Sequence, residues 1–142
     1  MDGGSLQSLM VELFTAIQML AGYPMPAELP EIHRAPAAVM QQKICGHPCR
    51  VKAFYHPQWG VYVDDSLDVF HDPFDRSILL HELVHHLQRV TGRFDSVSGS
   101  CLRKNAEELE AYEIQNRYLS WENAGKRALA VGAPATCKDE AN

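Results

Sequence analysis

The sequence predicts an α+β fold in which a small antiparallel sheet packs on three helices. Three observations support this class: helical spacing of apolar residues near the start, two short β-type runs in the middle, and two helical segments after them. A chain of 142 residues has the size of a single domain, so one active site is expected. The core is expected at about residues 6–121, followed by a tail at 122–142.

The first predicted helix covers residues 6–21. Its apolar side chains recur at steps of three and four and share one helical face: Leu6, Leu9, Met10, Leu13, Phe14, Ile17 and Leu20. The opposite face is polar but not basic, which favours packing on a core over lying on a membrane surface. Gly22 and the prolines after it end the helix. An extended connector is expected to about residue 36.

The sheet is expected to come from a β-hairpin. Residues 50–55 and 60–64 are rich in β-branched and aromatic side chains. The segment between them, His-Pro-Gln-Trp, has the composition of a turn.

The second predicted helix runs from about residue 73 to Val90. Asp72 is a typical N-cap residue, and Pro73 suits the first helical position, where its missing amide donor is not needed. Gly92 is the expected stop.

The third predicted helix runs from Arg103 to about Trp121. Beyond it, small and polar residues predict a loosely packed tail unless Cys137 ties it down.

Charge and hydropathy narrow the classes of partner. The chain has 13 Lys and Arg against 18 Asp and Glu, a net charge of −5, so no basic field exists to attract nucleic acid. Apolar stretches are interrupted well before the roughly 20 residues that a membrane span needs. The start also lacks the basic residues and the apolar core of a secretory signal.

The four cysteines favour disulfides over free thiols or a structural metal site. The favoured pairs are Cys45 with Cys49 and Cys101 with Cys137. Disulfides persist in oxidising compartments, so a periplasmic or secreted location is favoured over the cytoplasm.

The chemistry is carried by His81-Glu82-Leu83-Val84-His85, an H-E-x-x-H pattern within the second predicted helix. Positions i and i+4 lie on one helical face, so both imidazoles can bind one Zn²⁺ ion. Glu82 is then placed to take a proton from a water on that ion. The alternative, a helix whose histidines are ordinary core or surface groups, is less favoured because the flanking apolar residues predict burial.

A catalytic zinc needs a third protein ligand and one open position. A histidine six residues after the second is excluded, because Thr91 stands there. The third predicted helix offers four acids instead: Glu107, Glu108, Glu110 and Glu113.

With these motifs the chain resembles a minimal gluzincin, a zinc peptidase that combines H-E-x-x-H with a glutamate from a second helix. In such families an alanine often follows the ligand glutamate by three residues, as in Glu108-Leu-Glu-Ala111. The resemblance implies that Glu108 is the third ligand, with Glu107 as the alternative, and that zinc lies between the two helices. It implies a peptide or protein substrate, and it places residues 60–64 as an edge strand beside the cleft. Tyr112 departs from the Asp or Asn that often follows the alanine.

The resemblance extends through residues 77–119 to small bacterial proteins that are usually exported. Two further residues are candidates for roles near the metal. His86 points away from His81 on the helix and is interpreted as a packing residue or a hydrogen-bonding partner of the site. Tyr112, like Tyr55 and Tyr62, can donate a hydrogen bond to an oxyanion, although packing is the commoner role of such an aromatic residue. His71 is expected to be exposed.

The predicted function is therefore that of a zinc-dependent peptidase with Glu82 as general base. Two alternatives remain open at this point: a zinc-stabilised domain whose metal site is closed by a fourth ligand, and a partner-binding domain on a peptidase-like scaffold.

Overall fold

The computed structural model describes residues 2–47, 51–128 and 137. In chain order the elements are α1 (Asp2–Ala21), β1 (Ile32–Ala35), α2 (Ala37–Ile44), β2 (Ala53–His56), β3 (Gly60–Asp64), α3 (Pro73–Thr91) and α4 (Ser100–Trp121). The α+β class is confirmed.

The three predicted helices are present, and local signals explain their bounds. In α1 the predicted apolar face is buried, apart from Leu20, which is partly buried. In α3 the Asp72 carboxylate accepts hydrogen bonds from the amides of Phe74 and Asp75, as a capping residue should. Gly92 ends α3 with a φ of 66°, a left-handed conformation that favours glycine.

The sheet is mixed, so the prediction of a purely antiparallel sheet was wrong. β2 and β3 form the predicted antiparallel hairpin, but β1 pairs in parallel with β3, giving the order β1-β3-β2. The predicted connector therefore contains a strand. β1 has only Ala35 buried, and its pairing depends on distant β3, so its sequence carries little strand signal. β3 is central, which also corrects its assignment as an edge strand; β2 is the edge on the side of α3.

A fourth helix, α2, was not predicted, which corrects the expected count of three. It has eight residues, and Met40 is its only buried side chain. Pro36 precedes it as an N-cap without a side-chain hydrogen bond. So short a segment shows neither a capping signal nor a clear apolar period.

The core surrounds α3, which contacts α1, α4, β2 and β3. Fully buried Leu80, Leu83 and Val84 of α3 join Phe14 and Ile17 of α1 in one apolar cluster. Each such side chain contributes about 1.5–3 kcal/mol through removal from water. The polar residues of α3 are thus held on a rigid, largely buried helix.

The residues after α4 return along it. Ala128 is buried, and Cys137 forms a disulfide with Cys101 at the start of α4, as predicted. The tail is thus tied down at Cys137. The predicted pair of Cys45 with Cys49 falls on a residue outside the described ones. Within the described ranges no helix is both long and apolar enough to cross a membrane.

Candidate metal centre

His81, His85 and Glu108 meet where α3 packs on α4. The Nε2 atom of His81 lies 3.0 Å from one oxygen of the Glu108 carboxylate, and that of His85 lies 3.2 Å from the other. One potential ligand atom from each of the three residues lies within 4.8 Å of the other two. Helical spacing aligns the histidines, and the loop at 92–99 returns α4 beside them.

The other acids of α4 have different partners. The Glu107 backbone carbonyl accepts a hydrogen bond from Gln88, and the Glu110 carboxylate accepts hydrogen bonds from Gln88 and Tyr23. Glu113 is exposed and lies 3.6 Å from Arg117. The carboxylate that joins the two histidines is that of Glu108.

A chain of hydrogen bonds sets the tautomer of His81. The Phe74 carbonyl can only accept, so the Ser77 hydroxyl donates to it at 2.6 Å. The Ser77 oxygen then accepts from the Gln115 amide nitrogen at 3.0 Å, which turns the Gln115 oxygen toward His81. His81 Nδ1 must therefore be the protonated nitrogen that donates to it at 2.9 Å. In the neutral ring the lone pair is on Nε2, the atom that faces Glu108.

His85 is oriented by the same logic. The Glu107 carbonyl accepts from the Gln88 amide nitrogen at 2.9 Å, so the Gln88 oxygen is left to accept. It accepts from His85 Nδ1 at 2.8 Å. The His85 lone pair in the neutral ring is then on Nε2, again toward Glu108.

Two imidazole lone pairs and a carboxylate thus converge on one space, and such a set of acceptors requires a cation or added protons. The pKa directions reflect this need. Burial lowers the pKa of His85, but its hydrogen bond to Glu108 and the charge of Glu82 outweigh burial and raise it to about 9. Burial raises the pKa of Glu108, but the two histidines hold it well below its usual range. Two nitrogens and a carboxylate oxygen are also a donor set that zinc accepts, so the residues fit the metal.

Residues 4–140 match the family model described as "Domain of unknown function (DUF6647)". The chain belongs to the DUF6647 family. No curated protein and no solved structure matches it. The match extends from α1 past Ala128, so the residues that surround the His-Glu group belong to one DUF6647 domain.

A cleft of about 350 Å³ opens beside this group in the DUF6647 chain. His81, Glu82 and Tyr112 line it, together with apolar Phe74 and Ile78. The Tyr112 ring meets the His81 ring edge-on, with centroids 4.4 Å apart. Burial raises the pKa of Glu82, the charge of Glu108 adds to this, and His81 and His85 oppose it. The cleft therefore places the Glu82 carboxyl group, with its raised pKa, next to the candidate metal ligands.

The remaining candidates lie elsewhere in the DUF6647 domain. His86 accepts or donates a 3.0 Å hydrogen bond with the Tyr55 hydroxyl, on a separate cleft that Arg89 also lines. Tyr62 stacks on Phe54 across β2 and β3. His71 is exposed and pairs with Asp68.

A larger groove of about 960 Å³ lies between α1 and the end of α4. Its lining includes no member of the His-Glu group.

Gln88 and Gln115, the residues that orient both histidines, are not predicted from the sequence. The available signal was spacing: Gln88 follows His85 by three residues, and Gln115 follows Glu108 by seven, or two helical turns. Spacing alone does not distinguish an orienting amide from an ordinary polar residue.

Proposed function

We propose that this DUF6647 chain is a zinc-dependent hydrolase that acts on peptides. His81, His85 and Glu108 would hold the metal, and Glu82 would serve as the general base. The observation that carries the proposal is the convergence of both Nε2 lone pairs and the Glu108 carboxylate, with each Nδ1 fixed by a glutamine. Three ligands leave one position of a tetrahedral zinc site for water.

Bound zinc would lower the pKa of a water ligand toward about 7 and polarise the substrate carbonyl. The Glu82 carboxylate takes the proton of the attacking water and returns it to the leaving amine nitrogen. The raised pKa of Glu82 supports the first step, because it makes the carboxylate a stronger proton acceptor. Tyr112 lines the same cleft and is proposed to donate a hydrogen bond from its hydroxyl to the carbonyl oxygen in the transition state.

A peptide suits the surroundings of the cleft. β2 is an edge strand of the sheet, and its first residue, Ala53, lines the cleft. An extended substrate can add to such an edge through backbone hydrogen bonds. The gluzincin resemblance supports the same reaction class. The Cys101–Cys137 disulfide supports export to an oxidising compartment as the setting.

Zinc content tests the ligand set. Elemental analysis of the purified chain should give about one zinc per molecule. His81→Ala and Glu108→Ala should each lose most of it, because each removes one of three ligands. His71→Ala is the matched control, since His71 is exposed, pairs with Asp68 and does not belong to the His81, His85 and Glu108 group. Absence of zinc from the wild type, even after zinc is supplied, would refute the proposal.

Turnover tests the catalytic role. Glu82→Gln keeps the shape of the side chain but cannot accept a proton, so it should retain zinc and lose cleavage of an unselected peptide mixture. Zinc retention separates this effect from unfolding. Undiminished cleavage by Glu82→Gln would remove Glu82 from the mechanism. Zinc binding without cleavage by the wild type, and without hydroxamate binding, would instead indicate a closed structural site.

A further inference from the structure

The segment after α4 returns to the catalytic cleft and is clamped there. The Asn116 side chain makes two hydrogen bonds with the backbone of one residue: its oxygen accepts from the Ala128 amide at 2.7 Å, and its nitrogen donates to the Ala128 carbonyl at 2.9 Å. A side-chain amide that pairs with both backbone groups of a residue fixes its position and its orientation.

The clamped residue forms part of the cleft. Ala128 is 5% exposed and lines the same space as His81, Glu82 and Tyr112. Nearby, the Lys126 ammonium lies 5.6 Å from the centroid of the Phe74 ring, another wall of the cleft. Ala128 therefore contributes to the lining of the cleft, together with residues of α3 and α4 and residues 51–53 at the start of β2.

The clamp lies on the α4 face that carries the candidate ligand. Asn116 follows Tyr112 by four residues, and Tyr112 follows Glu108 by four, so the three residues are stacked on one side of the helix. On the same side Asn105 donates to the sulfur of Cys137, which is bonded to Cys101. Ala128 and Cys137 are thus attached to α4 at positions that lie on either side of Glu108 in the sequence.

We infer that Ala128 is a specificity-determining residue of the cleft and that Asn116 is its positioning residue. This inference rests on the proposed function. A methyl group at position 128 leaves room for a bulky apolar group beside the metal ligands, next to Phe74 and Ile78. A larger side chain at that position excludes such a group, provided that Asn116 keeps the backbone in place.

Hydroxamate binding to the zinc-loaded protein measures this directly by calorimetry. Acetohydroxamate, which is small, and phenylacetohydroxamate, which is bulky, serve as probes. Ala128→Val should weaken phenylacetohydroxamate by about tenfold or more, because apolar pockets discriminate single methyl groups at that level. Ala128→Phe should weaken it further, and acetohydroxamate should bind both variants as it binds the wild type. An equal response of the two probes to Ala128→Val would overturn the inference, and this variant suffices if Ala128→Phe fails to fold.

The positioning role of Asn116 is tested by combining its variants with Ala128→Val. Asn116→Leu removes both hydrogen bonds, so adding it to Ala128→Val should restore much of the phenylacetohydroxamate affinity. Asn116→Asp keeps the acceptor and loses the donor, so it should restore less. Glu113→Gln on the exposed side of α4 is the control and should change neither affinity. Additive effects of Asn116→Leu and Ala128→Val would show that Asn116 does not position Ala128. Failure of both probes to bind the wild type would refute the proposed open metal site itself.

Discussion

Gln115→Leu tests whether the candidate metal centre depends on the glutamine that orients His81. Gln115 is 3% exposed and links Ser77 to His81 Nδ1. Leucine has a similar volume but neither accepts nor donates a hydrogen bond. The buried Nδ1 proton then has no acceptor, and the neutral ring can shift to the tautomer that carries its proton on Nε2. That tautomer turns a donor, in place of a lone pair, toward the metal position.

The expected magnitude follows from these lost contacts. Loss of a residue that orients a metal-bound histidine weakens metal affinity by about 10- to 100-fold, which corresponds to about 1.4–2.7 kcal/mol. An unsatisfied buried donor also lowers the free energy of unfolding by about 1–3 kcal/mol. Because that range leaves most of a typical domain's stability, the variant is expected to fold.

Two assays check the two parts of the argument. Competition with a chromophoric chelator gives the zinc affinity, and urea titration of the metal-free protein gives the free energy of unfolding. Gln42→Leu is the matched control, since Gln42 is exposed on α2. A Gln115→Leu variant with wild-type zinc affinity and an unchanged free energy of unfolding would refute the reasoning.

Three further predictions concern the pH dependence and stability of the metal-free protein. The pKa of His85 is raised from 6.5 to about 9, so protonated His85 stabilises the fold fully below about pH 6.5, and this stabilisation is lost as the pH rises through about 9. The pKa of Glu108 is lowered, so its carboxylate stabilises the fold above about pH 4.5, and this stabilisation is lost on acidification. Melting temperatures should therefore be highest between about pH 5 and 6.5, and Glu108→Gln should flatten the profile; an unchanged profile would contradict the pairing. Replacing both Cys101 and Cys137 by serine removes a disulfide between residues 36 apart in the sequence, and it should lower the free energy of unfolding by about 4 kcal/mol in urea titrations. Equal stability of the variant and the wild type would contradict a stabilising role of this disulfide. Leu83→Ala should lower it by about 2–5 kcal/mol because Leu83 is fully buried, whereas Leu109→Ala, at a position 52% exposed, should have little effect.

Elements with local signals were predictable, and those that depend on distant partners were not. Asp72, Pro73 and Gly92 bound α3 through interactions within a few residues, so sequence alone places that helix well. β1 exists because β3 is available to pair with it, a contact between residues about 29 apart. Its single buried residue leaves no alternating pattern from which a strand could be recognised.

The candidate site shows the same division between features with local signals and features that depend on distant partners. Helical spacing predicts that His81 and His85 share a face, and the gluzincin resemblance selects Glu108 from four acids on α4. The roles of Gln88 and Gln115 depend on which donor or acceptor each amide meets across the α3–α4 interface. Those contacts depend on the packing of the two helices, and they become visible only in three dimensions.

The choice of glutamine at these two positions bears on the proposed mechanism. A carboxylate could also accept from Nδ1, but it would add a negative charge close to Glu82. The charge of Glu108 already raises the pKa of Glu82, and burial raises it more strongly. A carboxylate in place of the Gln115 amide would raise that pKa further and so disfavour the ionised form that a general base needs. Neutral amides hold both histidines with their Nε2 lone pairs toward Glu108 and without this effect, so in the proposed mechanism Gln88 and Gln115 orient the two histidines while leaving Glu82 able to act as a base.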